Sequence, residues 1–261
     1  MKLAIVQTDP TFGEKQKNTE QALRLMKSKP ADLYVLPELF ATGYNFTSLD
    51  EVRRMSEPAY SGETFRTLIE FAKASHSHIV FGFAESVEGT LYNSAGLVGY
   101  DGQQGLYRKL HLFDREKLFF SPGNLPFQVY TTPFGPVGIM ICFDWYFPES
   151  ARTLAVKGAQ LIAHPSNLVL PNCPDSMPVR CLENRVFAAT ANRIGTESRD
   201  GVSLTYIGQS QITSPLGKIL HRSPANQPEI AVCDVDLALA KDKSVNTRND
   251  LLKDRRSEFY L

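Results

Sequence analysis

Apolar and polar positions along the chain alternate between two periods. Leu3 to Gln7 is a short apolar run that predicts a strand, and Asn18 to Lys27 follows with helical spacing and Asn18 as its cap. Asp32 to Leu36 predicts the next strand, stopped by Pro37. Phe65, Leu68, Ile69 and Ala72 recur three and four residues apart, the spacing of one buried helix face. Ile79 to Ala84 and Leu91 to Tyr100 predict strands. Asp101-Gly102 is a hairpin signal leading into a third strand over Gly105 to Leu112.

The second half repeats these alternations. Val137 to Ile141 is β-branched and apolar, which predicts a buried strand with Cys142 at its C-terminal end. Pro148 and Glu149 suit a first helical turn, Ala151, Leu154 and Ala155 mark the buried face of that helix, and Gly158 stops it. A strand over Leu161 to His164 and a helix over Met177 to Ala188 follow. Two strands then flank Pro215-Leu216-Gly217, and another covers Ile230 to Asp236. Mixed βα units and hairpins predict an α/β fold with helix-covered sheets, numerous enough in strands for two stacked sheets. No low-complexity stretch, short repeat or linker interrupts the 261 residues, so one domain over 1–261 is expected.

Composition narrows the functions open to such a chain. Lys plus Arg and Asp plus Glu both total 28, so there is no basic excess for nucleic acid or anionic membranes, and a small-molecule substrate is expected. The opening MKLAIVQTDP is too short in apolar residues for a signal-peptide core, and no run approaches the about 20 residues of a membrane span. A cytoplasmic protein is expected. Cys142, Cys173, Cys181 and Cys233 show no C-x-x-C spacing, so neither a zinc site nor a disulfide framework is expected.

A cysteine between a strand end and a helix start stands where α/β folds collect catalytic groups, and the helix N-terminus predicts a bias toward thiolate. A thiol nucleophile needs a base and a positive group for the developing oxyanion. Glu38 follows the strand over Asp32 to Leu36 in an otherwise apolar stretch, where burial predicts a raised pKa. Alternation in GLYRKLHLFDREK places Tyr107, Lys109 and His111 on one strand face, with Lys109 able to point inward. Each also has an ordinary reading, Glu38 as a first-turn acid and Lys109 as an edge-strand lysine.

LPELFATGY, YRKLHLFDREK and ICFDWYFPESAR, in that order, resemble the three signature segments of the nitrilase superfamily of carbon-nitrogen hydrolases, and the similarity extends to KGAQLIAHPSN, CLENRVFAATANR and DRRSEFY. The resemblance implies a four-layer αββα sandwich that dimerises through helices or assembles further, and a hydrolase that uses no cofactor. It also implies Glu38 as general base, Lys109 as oxyanion cation assisted by the Phe143 N–H, Cys142 as nucleophile, and Glu116 as a second glutamate that positions the lysine and substrate. Tyr44, Phe113, Trp145 and Asn167, on segments following the strand ends, are the expected substrate contacts. CFDWYFPE is more similar to the amidase and carbamoylase branches than to the Cys-Trp-Glu of true nitrilases, so a small-amide hydrolase is expected ahead of a nitrilase. A carbamoylase needs a cation for its substrate's carboxylate, for which Arg152, Arg180, Arg185 and Arg193 are candidates. Two rivals are a Cys-His thiol hydrolase using His76, His78, His111, His164 or His221, and a binding protein that kept the fold without the chemistry.

Overall fold

The computed structural model describes residues 1–260; Leu261, the last residue of the polar C-terminal tail, lies outside them. The first half supplies β1 (Lys2–Gln7), α1 (Lys15–Ser28), β2 (Leu33–Val35), α2 (Leu49–Met55), α3 (Glu63–Ser75), β3 (His78–Val87), β4 (Thr90–Gly99) and β5 (Gln104–Arg108). Next come α4 (Glu116–Phe119), β6 (Val129–Thr132), β7 (Gly135–Ile139), a 3-10 turn over Cys142–Tyr146, α5 (Pro148–Val156), β8 (Leu161–Pro165), α6 (Cys173–Asn184) and β9 (Phe187–Ala191). A small hairpin of β10 (Thr196–Arg199) and β11 (Val202–Thr205) precedes β12 (Gln211–Thr213), β13 (Ile219–Arg222) and β14 (Glu229–Asp234).

Two six-stranded mixed sheets result, ordered β14-β1-β2-β3-β4-β5 and β6-β7-β8-β9-β12-β13. Read in those orders, both follow one sequence of pairings: antiparallel, parallel, parallel, antiparallel, antiparallel. The chain thus builds the same sheet twice, although no repeat is visible in its residues.

Strand periodicity assigns the layers. Leu3, Ile5, Leu33, Val35, Val80, Ala95, Leu97 and Tyr107 of the first sheet share one core with Val137, Ile139, Leu161, Ala163 and Ala189 of the second. Their alternates, Ala4, Val6, Tyr34, Ile79, Phe81 and Val98, pack outward on Ala22 and Met26 of α1 and Phe65, Leu68 and Ala72 of α3. Helix α5 covers the far face of the second sheet through Ala151, Leu154 and Ala155, with Met177 and Cys181 of α6 beside it. The expected αββα sandwich is therefore the observed architecture. Each fully buried Leu, Ile or Phe in it contributes about 1.5–3 kcal/mol relative to exposure.

Three expected boundaries move for physical reasons. Asn18 does not cap α1, which starts at Lys15; it is buried, and its amide bonds the Thr11 N–H (2.8 Å) and the Thr11 and Ala41 carbonyls (both 2.7 Å), pinning two loops to the helix. The helix expected over Met177 to Ala188 starts at Cys173, with Pro174 in its first turn, and ends at Asn184. There Arg185 turns left-handed (φ 49°), so Ala188 falls in β9. The strand expected to reach Leu112 ends at Arg108, which puts Lys109 and His111 in the loop beyond it rather than on one strand face.

Glycine permits one approach on which the Glu38 turn depends. An ideal Cβ on Gly82 of β3 would lie 2.4 Å from the Glu38 Cα and 2.7 Å from the Leu39 nitrogen, backbone atoms that cannot swing aside. Gly82→Ala is expected to cost about 1–3 kcal/mol by overpacking. A denaturant midpoint equal to that of the unmodified protein would show that the turn relocates freely.

Candidate active site

Three chain turns meet beyond the C-terminal ends of β2, β5 and β7. After β2 the chain passes Pro37 to Glu38, where Leu39 takes a left-handed conformation (φ 50°) and reverses it. After β5 comes Lys109, whose N–H donates to the Asn93 carbonyl (2.8 Å) and whose carbonyl accepts from the Gly123 N–H (2.8 Å). After β7, Cys142 opens the 3-10 turn with φ at 39°, a conformation rare for a side-chain-bearing residue. The His164 ring holds that geometry: its Nε2 donates to the Cys142 carbonyl (2.9 Å), which leaves Nδ1 to accept from the Thr190 hydroxyl (3.0 Å). Burial holds His164 down to about 4, so the ring is neutral near pH 7.

Glu38 and Lys109 are fully buried side chains, and Glu116 is almost so. Lys109 Nζ donates to Glu38 Oε1 and to Glu116 Oε1, both at 2.6 Å, which spends two of its three N–H bonds. Asn93 Nδ2 adds a bond to Glu38 Oε1 (2.7 Å), while Glu38 Oε2 is buried without a partner. Glu116 also accepts from the Tyr44 hydroxyl and, through Oε2, from the Phe113 N–H (3.3 Å).

The electrostatics follow from this packing. Burial pushes the Glu38 carboxyl up to about 7 against the opposing pull of Lys109. Burial works against the Lys109 charge too, but Glu116 and Glu38 outweigh it and hold the ammonium above its ordinary value. The Cys142 thiol is pushed well up by burial and then by Glu38, against the pull of Lys109 and an N–H bond from Asn167. The expected bias toward thiolate is therefore absent, because desolvation exceeds the effect of one short turn. Cys142 is a neutral thiol beside an acceptor that titrates near neutrality.

The expected contacts gather around this cluster. Phe113, Phe143, Trp145, Asn167, Leu168, Val169 and Leu170 line a cavity with Cys142. Tyr44, Phe113 and Glu116 line an adjoining one. Both polar atoms of the Asn167 side chain are buried and unpartnered. None of Arg152, Arg180, Arg185 and Arg193 lines either cavity. Arg193 is buried against Glu197 and the Pro10 carbonyl, Arg180 bonds the Trp145 carbonyl from behind (3.2 Å), Arg152 bonds the Glu183 carbonyl (2.8 Å), and Arg185 faces a separate cavity. Among the described residues no three His, Cys, Asp or Glu side chains are grouped as a metal site.

Sequence reasoning missed Asn93 and Asp144, two buried polar residues inside apolar stretches. Asp144 Oδ2 accepts from the Ile141 N–H (2.9 Å) and the Tyr107 hydroxyl (2.7 Å); its Oδ1 faces His111 Nδ1 (2.7 Å) and accepts from the His111 N–H (3.2 Å). His111 also stacks on Phe147, with ring centroids 3.7 Å apart. One carboxylate thereby ties the residues on both sides of Lys109 to the turn that carries Cys142. An amide nitrogen cannot accept, so Asp144→Asn leaves either the Ile141 N–H or the His111 N–H without an acceptor, according to which way the amide faces. The expected loss is about 1–3 kcal/mol, read as a lower thermal midpoint; an unchanged midpoint would show that the carboxylate clamps nothing.

Comparison with known proteins places the chain in a family. The family model described as carbon-nitrogen hydrolase matches residues 2–243. The chain is 48% identical to a nitrilase of Pyrococcus abyssi, over 100% of this chain and 99% of that protein. It is 32% identical to an (R)-stereoselective amidase of a Pseudomonas species, over 98% and 92%. Among solved structures, the amidase of Nesterenkonia sp. AN1 superposes with a TM-score of 0.81 at 25% identity, covering 99% of this chain and 95% of that one. In another structure of that amidase, acrylamide has added to the active-site cysteine. With a matching family model over nearly its whole length and a relative at almost half identity, the chain belongs to the carbon-nitrogen hydrolase family.

Proposed function

We propose that the protein hydrolyses small amides, releasing ammonia through a thioester on Cys142. The observation that carries this reading is the buried meeting of a neutral thiol, a carboxylate with one free oxygen and a lysine with one unspent N–H. Glu38 takes the thiol proton as sulfur bonds to the amide carbon, and the carbonyl electron pair moves onto oxygen. The third N–H of Lys109 and the Phe143 N–H, a first-turn donor with no acceptor inside its turn, stabilise that oxyanion. Its collapse breaks the carbon-nitrogen bond, and Glu38 returns the proton to the leaving nitrogen. Water, deprotonated by Glu38, then attacks the thioester; the second collapse frees the carboxylic acid and returns the thiol. Glu116 and Tyr44 act on Lys109 by fixing where its remaining N–H points.

Several observations favour this over the rivals. The His164 donor is spent on a backbone carbonyl, and His111 faces Asp144, so neither ring is hydrogen-bonded to the sulfur. A pure binding role has no use for a buried carboxyl kept near neutrality beside a thiol. The names of the relatives span amidase and nitrilase, and thiolate attack on a nitrile gives a thioimidate that leads to the same thioester. The Cys-Phe-Asp sequence after the strand is the reason for placing amides first.

The pH dependence follows from the Glu38 carboxyl at about 7. A general base is lost when protonated, so kcat/KM should fall tenfold per pH unit below about pH 7 and level off above it. In Glu38→Gln that acid limb should vanish, along with about 10²–10⁴-fold of the rate. A limb that survives in Glu38→Gln would place the base elsewhere.

Lys109→Met should lower kcat by about 10²–10³-fold, the usual loss for one oxyanion donor. Quenching wild type with acid during turnover of butyramide and weighing it by mass spectrometry should show a butyryl adduct on Cys142, absent from Cys142→Ala. Turnover by Cys142→Ala would remove the covalent route altogether.

A further inference from the structure

The cavity that holds Cys142 and the one that holds Glu116 share two walls, Phe113 and Val169. Each encloses about 20 Å³, room for about one water-sized group, and they adjoin at those shared walls, so a substrate reaching from one to the other must displace these side chains. The end at Cys142 meets an apolar lining and the free amide of Asn167. The other end meets Tyr44, Asn45, Asp114, Arg115 and Glu116.

Arg115 is the one basic side chain lining either cavity, and it forms no ion pair among the described residues. Its Nε is buried without a hydrogen-bond partner although Asp114 and Glu116 flank it in sequence. Both neighbours are otherwise disposed. Asp114 lies exposed in a left-handed turn (φ 45°), and Glu116 is already engaged by Lys109, Tyr44 and the Phe113 N–H. The Tyr44 hydroxyl donates its hydrogen bond to Glu116, and Asn45 Nδ2 donates to the Glu197 and Val202 carbonyls. The guanidinium is therefore the remaining side-chain donor of this cavity, and a buried guanidine nitrogen is costly to leave unmatched. Its planar fork fits a carboxylate.

We propose that Arg115 binds a carboxylate at the far end of the substrate, so that the protein prefers short ω-amido carboxylates to uncharged amides. This rests on the amide-hydrolase reading given above and adds a specificity-determining residue to it. The charge balance favours the assignment: Lys109 is already shared between two carboxylates, so an anionic substrate finds its own cation only at Arg115.

The test uses glutaramate and pentanamide, its uncharged counterpart, with two readouts. Calorimetry on Cys142→Ala should show glutaramate binding about 10–100-fold more tightly than pentanamide, the advantage expected of a charge-assisted pair. Arg115→Gln introduced into that variant should abolish the difference, and Arg115→Lys should restore part of it. In the enzyme with its cysteine, the ratio of KM for pentanamide to that for glutaramate should fall by the same factor on Arg115→Gln. Equal affinity for the two ligands, or a preference that Arg115→Gln leaves intact, overturns the proposal. Ammonia release from both amides at equal kcat/KM keeps the hydrolase reading and overturns the Arg115 assignment. Arg115-dependent binding of glutaramate with no ammonia release keeps the anion site and overturns the hydrolase reading.

Discussion

The site depends on one buried cation. Lys109 lies out of water between Glu38 and Glu116, and the desolvation of three ionisable groups is offset only because every partner is placed within 2.6 Å of the ammonium. Removing Lys109 leaves two buried carboxyls facing each other without a cation, which costs more than the pairs contribute. The same triad gives Glu38 its intermediate character. Burial alone favours the neutral acid and the lysine alone the carboxylate; their opposition leaves the group titrating near neutrality, the range in which a carboxyl can both accept and return a proton.

Such a triad needs rigid supports, and the duplicated sheet supplies them. Glu38 and Cys142 follow strands in the parallel middle of each sheet, and Lys109 follows an edge strand of the first, so stacking the sheets brings three sequence-distant turns to one spot. Asn93 holds Glu38 from β4, His164 holds the Cys142 carbonyl from β8, and Asp144 joins the Lys109 loop to the Cys142 turn. The supporting groups are polar residues buried within apolar strands or turns. A stability-optimised core would have apolar side chains there. Their presence fixes geometry at the expense of hydrophobic burial.

What the sequence by itself determined is the alternation of apolar runs and helical stripes, hence an α/β fold with helix-covered sheets, together with a cysteine and a glutamate just past apolar segments and a lysine on a strand face; the four-layer sandwich was implied by the family resemblance. These were legible because strand and helix periods depend on local sterics and on one buried face, both of which nearest neighbours record. Boundaries were less legible where a side chain answered to a distant partner. Asn18 reads as a cap but binds loops from Thr11 and Ala41. Lys109 reads as a strand residue but is drawn past the strand end into contact with Glu38 and Glu116. The tertiary structure alone decided that Asp144 is a clamp, that burial favours the thiol form of Cys142, and that Arg115, not Arg152, Arg180, Arg185 or Arg193, lines the cavity adjoining that of Cys142. The physical reason is common to all three: burial and charge pairing are set by groups far apart in the chain, and a local pattern carries no information about which of them will meet.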